Sequence, residues 1–332
     1  MKNQRMLIAS LPSDTLSVTD FALDSVEMPE PADGEVLCRT LAITIGAGQR
    51  AGLQGSASYA GAPVAGRVMG GSGIAEVVAS KHPKFDVGER VRADTGWQEY
   101  SVHRGDRLST VDVAIDPAHH LGVLGTNGIT AYFGLVEIGQ PKAGDTVMVS
   151  AAGGSVGHLV GQMAKVLGAR VVGIVGSDEK AGMLVGELGF DVALNRRDAN
   201  FKSVLKEATP DRVDVYFDNT GGDILESALF RMNVHGRIVC CGAASQYDTA
   251  SPKVGPRGVP GLLVNNRVRM EGFLVFDYAT RYDEARIQMS EWITSGRLVP
   301  KTTEYEGLAA APQAFVDLLA GETVGTTVVR MV

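Results

Sequence analysis

The sequence predicts an α/β architecture: a doubly wound parallel sheet with a second, β-rich domain. Three observations carry that expectation. From about residue 125 onward, apolar runs of strand length alternate with stretches of helical periodicity, the pattern of strand–helix–strand crossovers. One strand-to-helix junction is made almost wholly of small residues, Ala151-Ala-Gly-Gly-Ser-Val-Gly157. Ahead of residue 125 the apolar runs are short and bounded by turn residues, as in an all-β region.

In the first region, Gly34 to Ile43, Ile74 to Val78 and Arg90 to Ala93 read as strands, and Phe85-Asp-Val-Gly-Glu-Arg-Val91 puts turn chemistry between apolar runs. In the second, Thr146 to Val149 reads as a strand. Val156, Leu159, Val160, Met163, Ala164 and Leu167 then recur at three- and four-residue spacing, which is one helix face, and Gly168 supplies a stop. Arg170 to Val175, Asp191 to Leu194, Val213 to Phe217 and Gly236 to Cys241 are further strands. Arg269 to Phe276 looks like the last, apolar enough to be an edge that a second copy would cover. Cys240 and Cys241, adjacent on a strand, should point to opposite faces into core. The Pro-rich stretch Ser251 to Pro260 is a loop, and after Gly296 the chain should return to the β-rich domain. The predicted organisation is therefore 1–124, 125–295 and 296–332.

Ala152-x-Gly154-x-x-Gly157, between a strand and a helix, is the dinucleotide-binding fingerprint with Ala at its first position. The first small residue permits the tight turn. Gly154, Ser155 and Val156 bring backbone N–H groups to a pyrophosphate, and Gly157 lets the helix lie close on the strand. The helix N-terminus adds free N–H donors and positive dipole. The second strand ends at Val175-Gly176-Ser177, where NAD enzymes commonly carry an acid for the ribose 2′-hydroxyl. Here the position is Gly176. Ser177 can cap the next helix, and Lys180 in its first turn opposes the helix dipole unless a phosphate sits nearby. The missing acid and the misplaced lysine read as NADPH; a solvated surface lysine is the alternative, and Asp178 could still hold a ribose hydroxyl. Arg196, after the third strand, is a second phosphate candidate or an exposed loop arginine.

A chain of 332 residues suits two domains, and 45% hydrophobic content with moderate charge is globular. A net charge of −7 without basic clusters argues against nucleic-acid binding. Three cysteines argue against a disulfide framework and for a reducing compartment, and no targeting segment or membrane-spanning run is visible. The expectation is a cytoplasmic protein acting on a small molecule, with neither a nucleic-acid nor a membrane partner.

The chain resembles the medium-chain dehydrogenase/reductases, and within them the leukotriene hydroxydehydrogenase, prostaglandin reductase and alkenal double-bond reductase group. The motifs that carry the resemblance are Gly96-Trp-Gln-Glu-Tyr100, Leu121-Gly-Val-Leu-Gly125 with Gly128-Ile-Thr-Ala-Tyr-Phe-Gly-Leu135, and Ala151 to Gly157. They continue with Gly176-Ser-Asp-Glu-Lys180, Tyr216-Phe-Asp-Asn-Thr-Gly-Gly222, Gly236-Arg-Ile-Val-Cys-Cys-Gly242, Ser245-Gln-Tyr247 and Arg269-Met-Glu-Gly-Phe273. The resemblance implies a Rossmann sheet plus a GroES-like β-rich domain, a homodimer, and NADPH-dependent hydride transfer to an activated carbon–carbon double bond. It implies that Gly154, Ser155, Val156 and Gly157 hold the pyrophosphate and that Lys180 holds the 2′-phosphate. Asn219 would lie near the central riboses. Cys241, Gly242, Ala243, Ser245, Gln246 and Tyr247 would line the nicotinamide side, and Phe273, Leu274 and Val275 would flank the carboxamide.

The substrate side departs from the group. Asp-Pro-Tyr-Met-Arg is replaced by Gly46-Ala-Gly-Gln-Arg50, so a tyrosine falls on Gly48; a second falls on Asn265, and a Met-Pro pair on Thr126-Asn127. Catalytic zinc needs Cys, His or acidic ligands, and the positions that supply them in the zinc enzymes hold none, so a metal-free enzyme is expected. A carbonyl oxygen must then be polarised by hydrogen bonds, with Tyr59 and Asn265 as candidate catalytic donors and Gln49 and Asn127 as further pocket residues. A quinone reductase and a non-enzymatic NADPH-binding protein are the alternatives.

Overall fold

The computed structural model describes residues 2–57, 61–252 and 255–331. In chain order it opens with an antiparallel pair, β1 (Lys2–Ile8) and β2 (Phe21–Glu27). β3 (Glu35–Ile45), α1 (Ala47–Leu53), β4 (Gly73–Ser80), β5 (Arg90–Ala93), β6 (Tyr100–Arg104), β7 (Ser109–Thr110) and α2 (Pro117–Leu121) follow. The middle of the chain gives α3 (Thr126–Phe133), β8 (Thr146–Ser150), α4 (Gly157–Val166), β9 (Arg170–Val175), α5 (Asp178–Leu188), β10 (Val192–Asn195) and α6 (Phe201–Ala208). Next come β11 (Val213–Asp218), α7 (Gly222–Leu229), β12 (Met232–Cys240), α8 (Val259–Asn266), β13 (Arg269–Gly272) and α9 (Tyr282–Thr294). β14 (Thr302–Glu306), α10 (Ala311–Ala320) and β15 (Thr326–Arg330) close it.

The chain divides into two compact units. The first comprises Met1–Gly122, Asp248–Ala250 and Thr302–Val332; the second comprises Val123–Tyr247 and Ser251–Lys301. In the first, a seven-stranded sheet runs β14-β15-β3-β4-β5-β7, with β6 also on β3. β3 pairs with β4, with register shifts beside Cys38 and between Thr40 and Ala42, and also with β6 over Glu35–Arg39 and with β15 over Ala42–Ile45. Its core is aromatic. Trp97 is fully buried, Phe21 stacks on it at 5.2 Å, and Phe315 meets it edge-on at 5.9 Å.

Arg50 of α1 is wholly buried in this unit, at 0% exposure. Its Nε donates to Asp248 Oδ1 at 2.8 Å, and an Nη donates to the Asp14 carbonyl. The Leu16 N–H shares Asp248, and Gln54 Nε2 donates to the Thr249 carbonyl. A buried ion pair must be held by such further hydrogen bonds to offset its desolvation. This cluster captures the three residues Asp248–Ala250, which leave the second unit and return to it.

The second unit is built on a six-stranded, all-parallel sheet of order β10-β9-β8-β11-β12-β13, the doubly wound arrangement. Met148, Val172, Ile174, Tyr216 and Ile238 fill one face. The last strand is shorter than the sequence suggests. It stops at Gly272, and Val275 begins a 3₁₀ segment running to Arg281. The edge itself reads Arg-Met-Glu-Gly, so the expected apolar edge is corrected to a short charged one, which suits an exposed strand. β12 starts earlier, at Met232, with a register break against β11 between Val213 and Val215. Cys240, half-buried at the end of β12, packs against this core, whereas Cys241 lies beyond the strand, so the two are not an opposed pair within it. No helix among the described residues is long and apolar enough to cross a membrane.

Arg50→Ala would take the guanidinium from the partly buried Asp248 carboxylate and from the Asp14 carbonyl. Stability should fall by about 3 kcal/mol, read as a lower urea midpoint. Arg39→Ala, which removes a half-exposed pair with Glu76, should cost less than about 1 kcal/mol. Similar losses in the two variants would contradict the account of the buried cluster.

Candidate cofactor site

β8 delivers the chain into a turn that only small residues can make. Ala151 takes a left-handed φ of 46°, its carbonyl receives the Gly154 N–H at 2.9 Å, and α4 starts three residues later. A Cβ on Gly157 would stand 2.3 Å from the Ala151 oxygen and 2.8 Å from Ala152 Cα. Gly173 of β9 admits Ala152 in the same way, a Cβ there lying 3.1 Å from the Ala152 methyl. The backbone N–H groups from Ser155 onward are thus held at a helix start without side chains in front of them, which fits an anion of pyrophosphate type.

His158, one residue into α4, is buried and fixes this turn from within. Its Nδ1 lies 2.8 Å from the Gly154 carbonyl, and its Nε2 accepts the Lys301 N–H at 3.1 Å. An acceptor Nε2 requires the proton on Nδ1, so the ring is neutral and donates to Gly154. Burial is the main cause that lowers its pKa from 6.5 to about 4. Gln162, one turn on, clasps Val299 through both ends of its amide, at 2.7 and 3.1 Å.

The second strand supplies the expected adenosine end. Ser177 is the N-cap of α5, its hydroxyl accepting from the Lys180 N–H at 3.3 Å. The Lys180 stem returns over the glycine turn: a Cβ on Gly153 would lie 3.6 Å from Lys180 Cδ. The Arg196 N–H donates to the Val175 carbonyl at 2.8 Å, which sets Arg196, exposed, beside Gly176 and Ser177. Asp178 accepts from Asn195 Nδ2 at 3.1 Å. Gly153, Gly176, Lys180 and Arg196 therefore converge at one corner, a fit for a phosphate on the adenosine ribose.

The fourth and fifth strands end in two interlocked loops. Asn219 donates to Ser150 twice, from its backbone N–H at 2.9 Å and its side chain at 2.7 Å. Its carbonyl accepts the Ala244 N–H, and Thr220 accepts that of Ser245. A Cβ on Gly222 would strike Ser245 Oγ at 2.8 Å, and the Tyr247 hydroxyl lies 3.3 Å from the Ala243 N–H. Asn219, Cys241, Gly242, Ala243, Ser245, Gln246 and Tyr247 are thus brought together at the carboxyl end of the sheet, where such sheets bind ligands. Burial raises the Cys240 and Cys241 thiols to about 11 and about 12, so neither is a thiolate near neutral pH. Phe273, Leu274 and Val275 follow β13 at the same end, since Gly272 pairs with Cys240. Phe273 packs where Gly134 has no side chain; a Cβ there would lie 2.7 Å from its ring.

The predicted substrate residues are more scattered. Gln49 spends its amide inside the first unit, accepting from the Gly46 N–H at 2.8 Å and donating to the Gly70 carbonyl at 2.7 Å. Asn127 is half-buried in the first turn of α3. Asn265 is exposed near the end of α8, and its neighbour Asn266 donates to the Met232 carbonyl where β12 begins. That is the amino end of the sheet, so the fold does not bring Asn265 to the cofactor residues. Tyr59 lies outside the described residues. Among the described residues no group of three His, Cys, Asp or Glu side chains is placed to hold a metal ion. His120 is buried, its Nε2 2.9 Å from the Asp112 carbonyl.

Sequence reasoning missed His158, Ser150 and Asp218. Ser150 and His158 flank the glycine turn and Asp218 lies within the Tyr216–Gly222 motif, and only the tertiary partners reveal their work.

Comparison with known proteins places these features in context. A family model described as the N-terminal domain of oxidoreductase matches residues 4–111, and one described as zinc-binding dehydrogenase matches 155–294. The NADPH-dependent curcumin reductase of Escherichia coli is 36% identical, covering 99% of this chain and 97% of its own. Prostaglandin reductase 1 of Bos taurus is 37% identical over 94% of each. The crystal structure of CurA from Vibrio vulnificus in complex with NADPH superposes with a TM-score of 0.95, at 37% identity and 99% coverage of both chains.

The His158 geometry fixes a pH dependence. Between pH 6.5 and about 4 the unfolded chain binds a proton there and the folded chain does not. That contribution to stability is complete above the upper value and is lost as pH falls through the window. His158→Asn, which keeps a donor for Gly154, should show a shallower decline of urea midpoint across that range. Coincident slopes would disprove the neutral assignment.

Proposed function

We propose, for a chain that belongs to the medium-chain dehydrogenase/reductase family, in the prostaglandin reductase and alkenal reductase group, that it reduces the carbon–carbon double bond of α,β-unsaturated carbonyl compounds with NADPH. The observation that carries the cofactor half is the corner where the Lys180 stem lies over Gly153 beside Gly176, with no acid at the strand end. The reaction half is supported by the relatives named as reductases of curcumin and prostaglandins.

Bound at this site, NADPH supplies the hydride. The chain's own residues bind and orient. The α4 start receives the pyrophosphate, Lys180 with Arg196 receives the 2′-phosphate, and Asn219 offers its side-chain oxygen to a ribose hydroxyl. The Cys241–Tyr247 loop and Phe273 border the nicotinamide. Asn127 and Tyr59 are the proposed donors to the substrate carbonyl, acting without a metal ion. Gly48 in place of a tyrosine widens the pocket, which favours a bulky enone over a short enal, because a loosely held substrate loses orientation. The reading includes a cytoplasmic homodimer, visible as twice the monomer mass in light scattering.

Lys180→Ala should weaken NADPH binding by about 10-fold or more, as expected for a charge-assisted phosphate contact, and leave NADH nearly unchanged. Equal losses for both would remove Lys180 from the 2′-phosphate site. NADPH oxidation measured across enones, enals and quinones should favour a bulky enone, and Gly48→Tyr should reverse the preference toward short enals. Quinones as the best substrates, or binding with no turnover, would replace the double-bond assignment.

A further inference from the structure

We propose that Asp218 is a positioning residue whose buried charge makes the site prefer the oxidised nicotinamide, a cation, to the reduced one. The proposal rests on the cofactor reading above. Asp218 closes β11 and is 2% exposed. Its Oδ1 is the focus of donors from three directions: the Tyr216 hydroxyl at 2.8 Å, the Gly221 and Thr220 N–H groups at 2.9 and 3.0 Å, and Ser150 Oγ at 3.2 Å. Its backbone carbonyl takes the Cys241 and Gly242 N–H groups at 2.9 and 3.1 Å. The carboxylate thus holds the loop after β11, assigned to a ribose, and the same residue's backbone holds the start of the Cys241–Tyr247 loop, assigned to the nicotinamide side. It also acts through Ser150, which orients Asn219.

All of these donors are neutral, and among the described residues no Lys or Arg forms an ion pair with Asp218. Hydrogen bonds hold the anion in place without cancelling its charge, and in a buried site that charge is weakly screened. The reduced ring is neutral and the oxidised ring carries one positive charge. A fixed anion at the root of the loop that borders it therefore tightens NADP⁺ relative to NADPH. In the same measure it makes the bound reduced form a better hydride donor. A residue that served only to brace the loops would weaken both forms alike.

The test is the pair of dissociation constants for NADP⁺ and NADPH, by titration calorimetry, on the intact protein. Asp218→Asn should weaken NADP⁺ by about 5-fold more than it weakens NADPH. Asp218→Ser is a second charge-removing variant, and Asp218→Glu, which keeps the charge, should preserve the ratio. Ser150→Ala and Tyr216→Phe remove supports but not charge, and should shift both constants together. Equal shifts in Asp218→Asn and Asp218→Ser, or a changed ratio in Tyr216→Phe, would overturn the proposal while leaving the cofactor reading intact. A wild-type protein that binds neither form would overturn both.

Discussion

The close approach of α4 to the end of β8 is the constraint on which the second unit depends. With 2.3 Å between a Cβ at position 157 and the Ala151 oxygen, no residue but glycine lets the helix begin there. The tolerance continues along the packing. Gly161 faces the Phe190 ring at a distance where a Cβ would overlap it, and Gly173 makes room for Leu184 and Ala152. Close packing and the anion site proposed at this turn therefore rest on one requirement. The same absence of side chains that seats the helix exposes its N–H donors and leaves a path for the Lys180 stem.

What could be read in the sequence follows physical range. Arg170–Val175 was legible residue by residue because Val171 to Val175 is a continuous run buried on both faces, closed by Gly176. α4 was legible from spacing alone. β13 was overrun because Phe273, Leu274 and Val275 continue the apolar run, and only the loss of pairing after Gly272 ends the strand. The β1–β2 pair went unread because it packs against residues nearly a hundred positions away, such as Trp97 through Met6, and its own polar residues mask the pattern.

The site divides along the same line. The geometry of the glycine turn and of the α5 cap is local and was visible: Gly154, Gly157, Ser177 and the Lys180 turn. Asp218 and His158 were not, because their partners come from three separate strands or from Lys301, and an acid before a turn or a histidine on a helix looks ordinary. Gln49 has a local role that its residue type does not announce: at the third position of α1 it caps its own helix. Asn265 failed for a topological one, since α8 descends toward the start of β12.

The first unit has a consequence for how the chain must be made. Its central strand β3 has β15 as a neighbour, with Val329 opposite Ile43. On a ribosome the second unit emerges almost whole while that flank of β3 still lacks its partner. Strand pairing over so great a separation is slow, and an unfinished edge is prone to stray association. The seven-stranded sheet therefore completes last, although most of it is synthesised first. Loss of the final few dozen residues would leave the nucleotide-binding half able to form, beside a sheet that stays open.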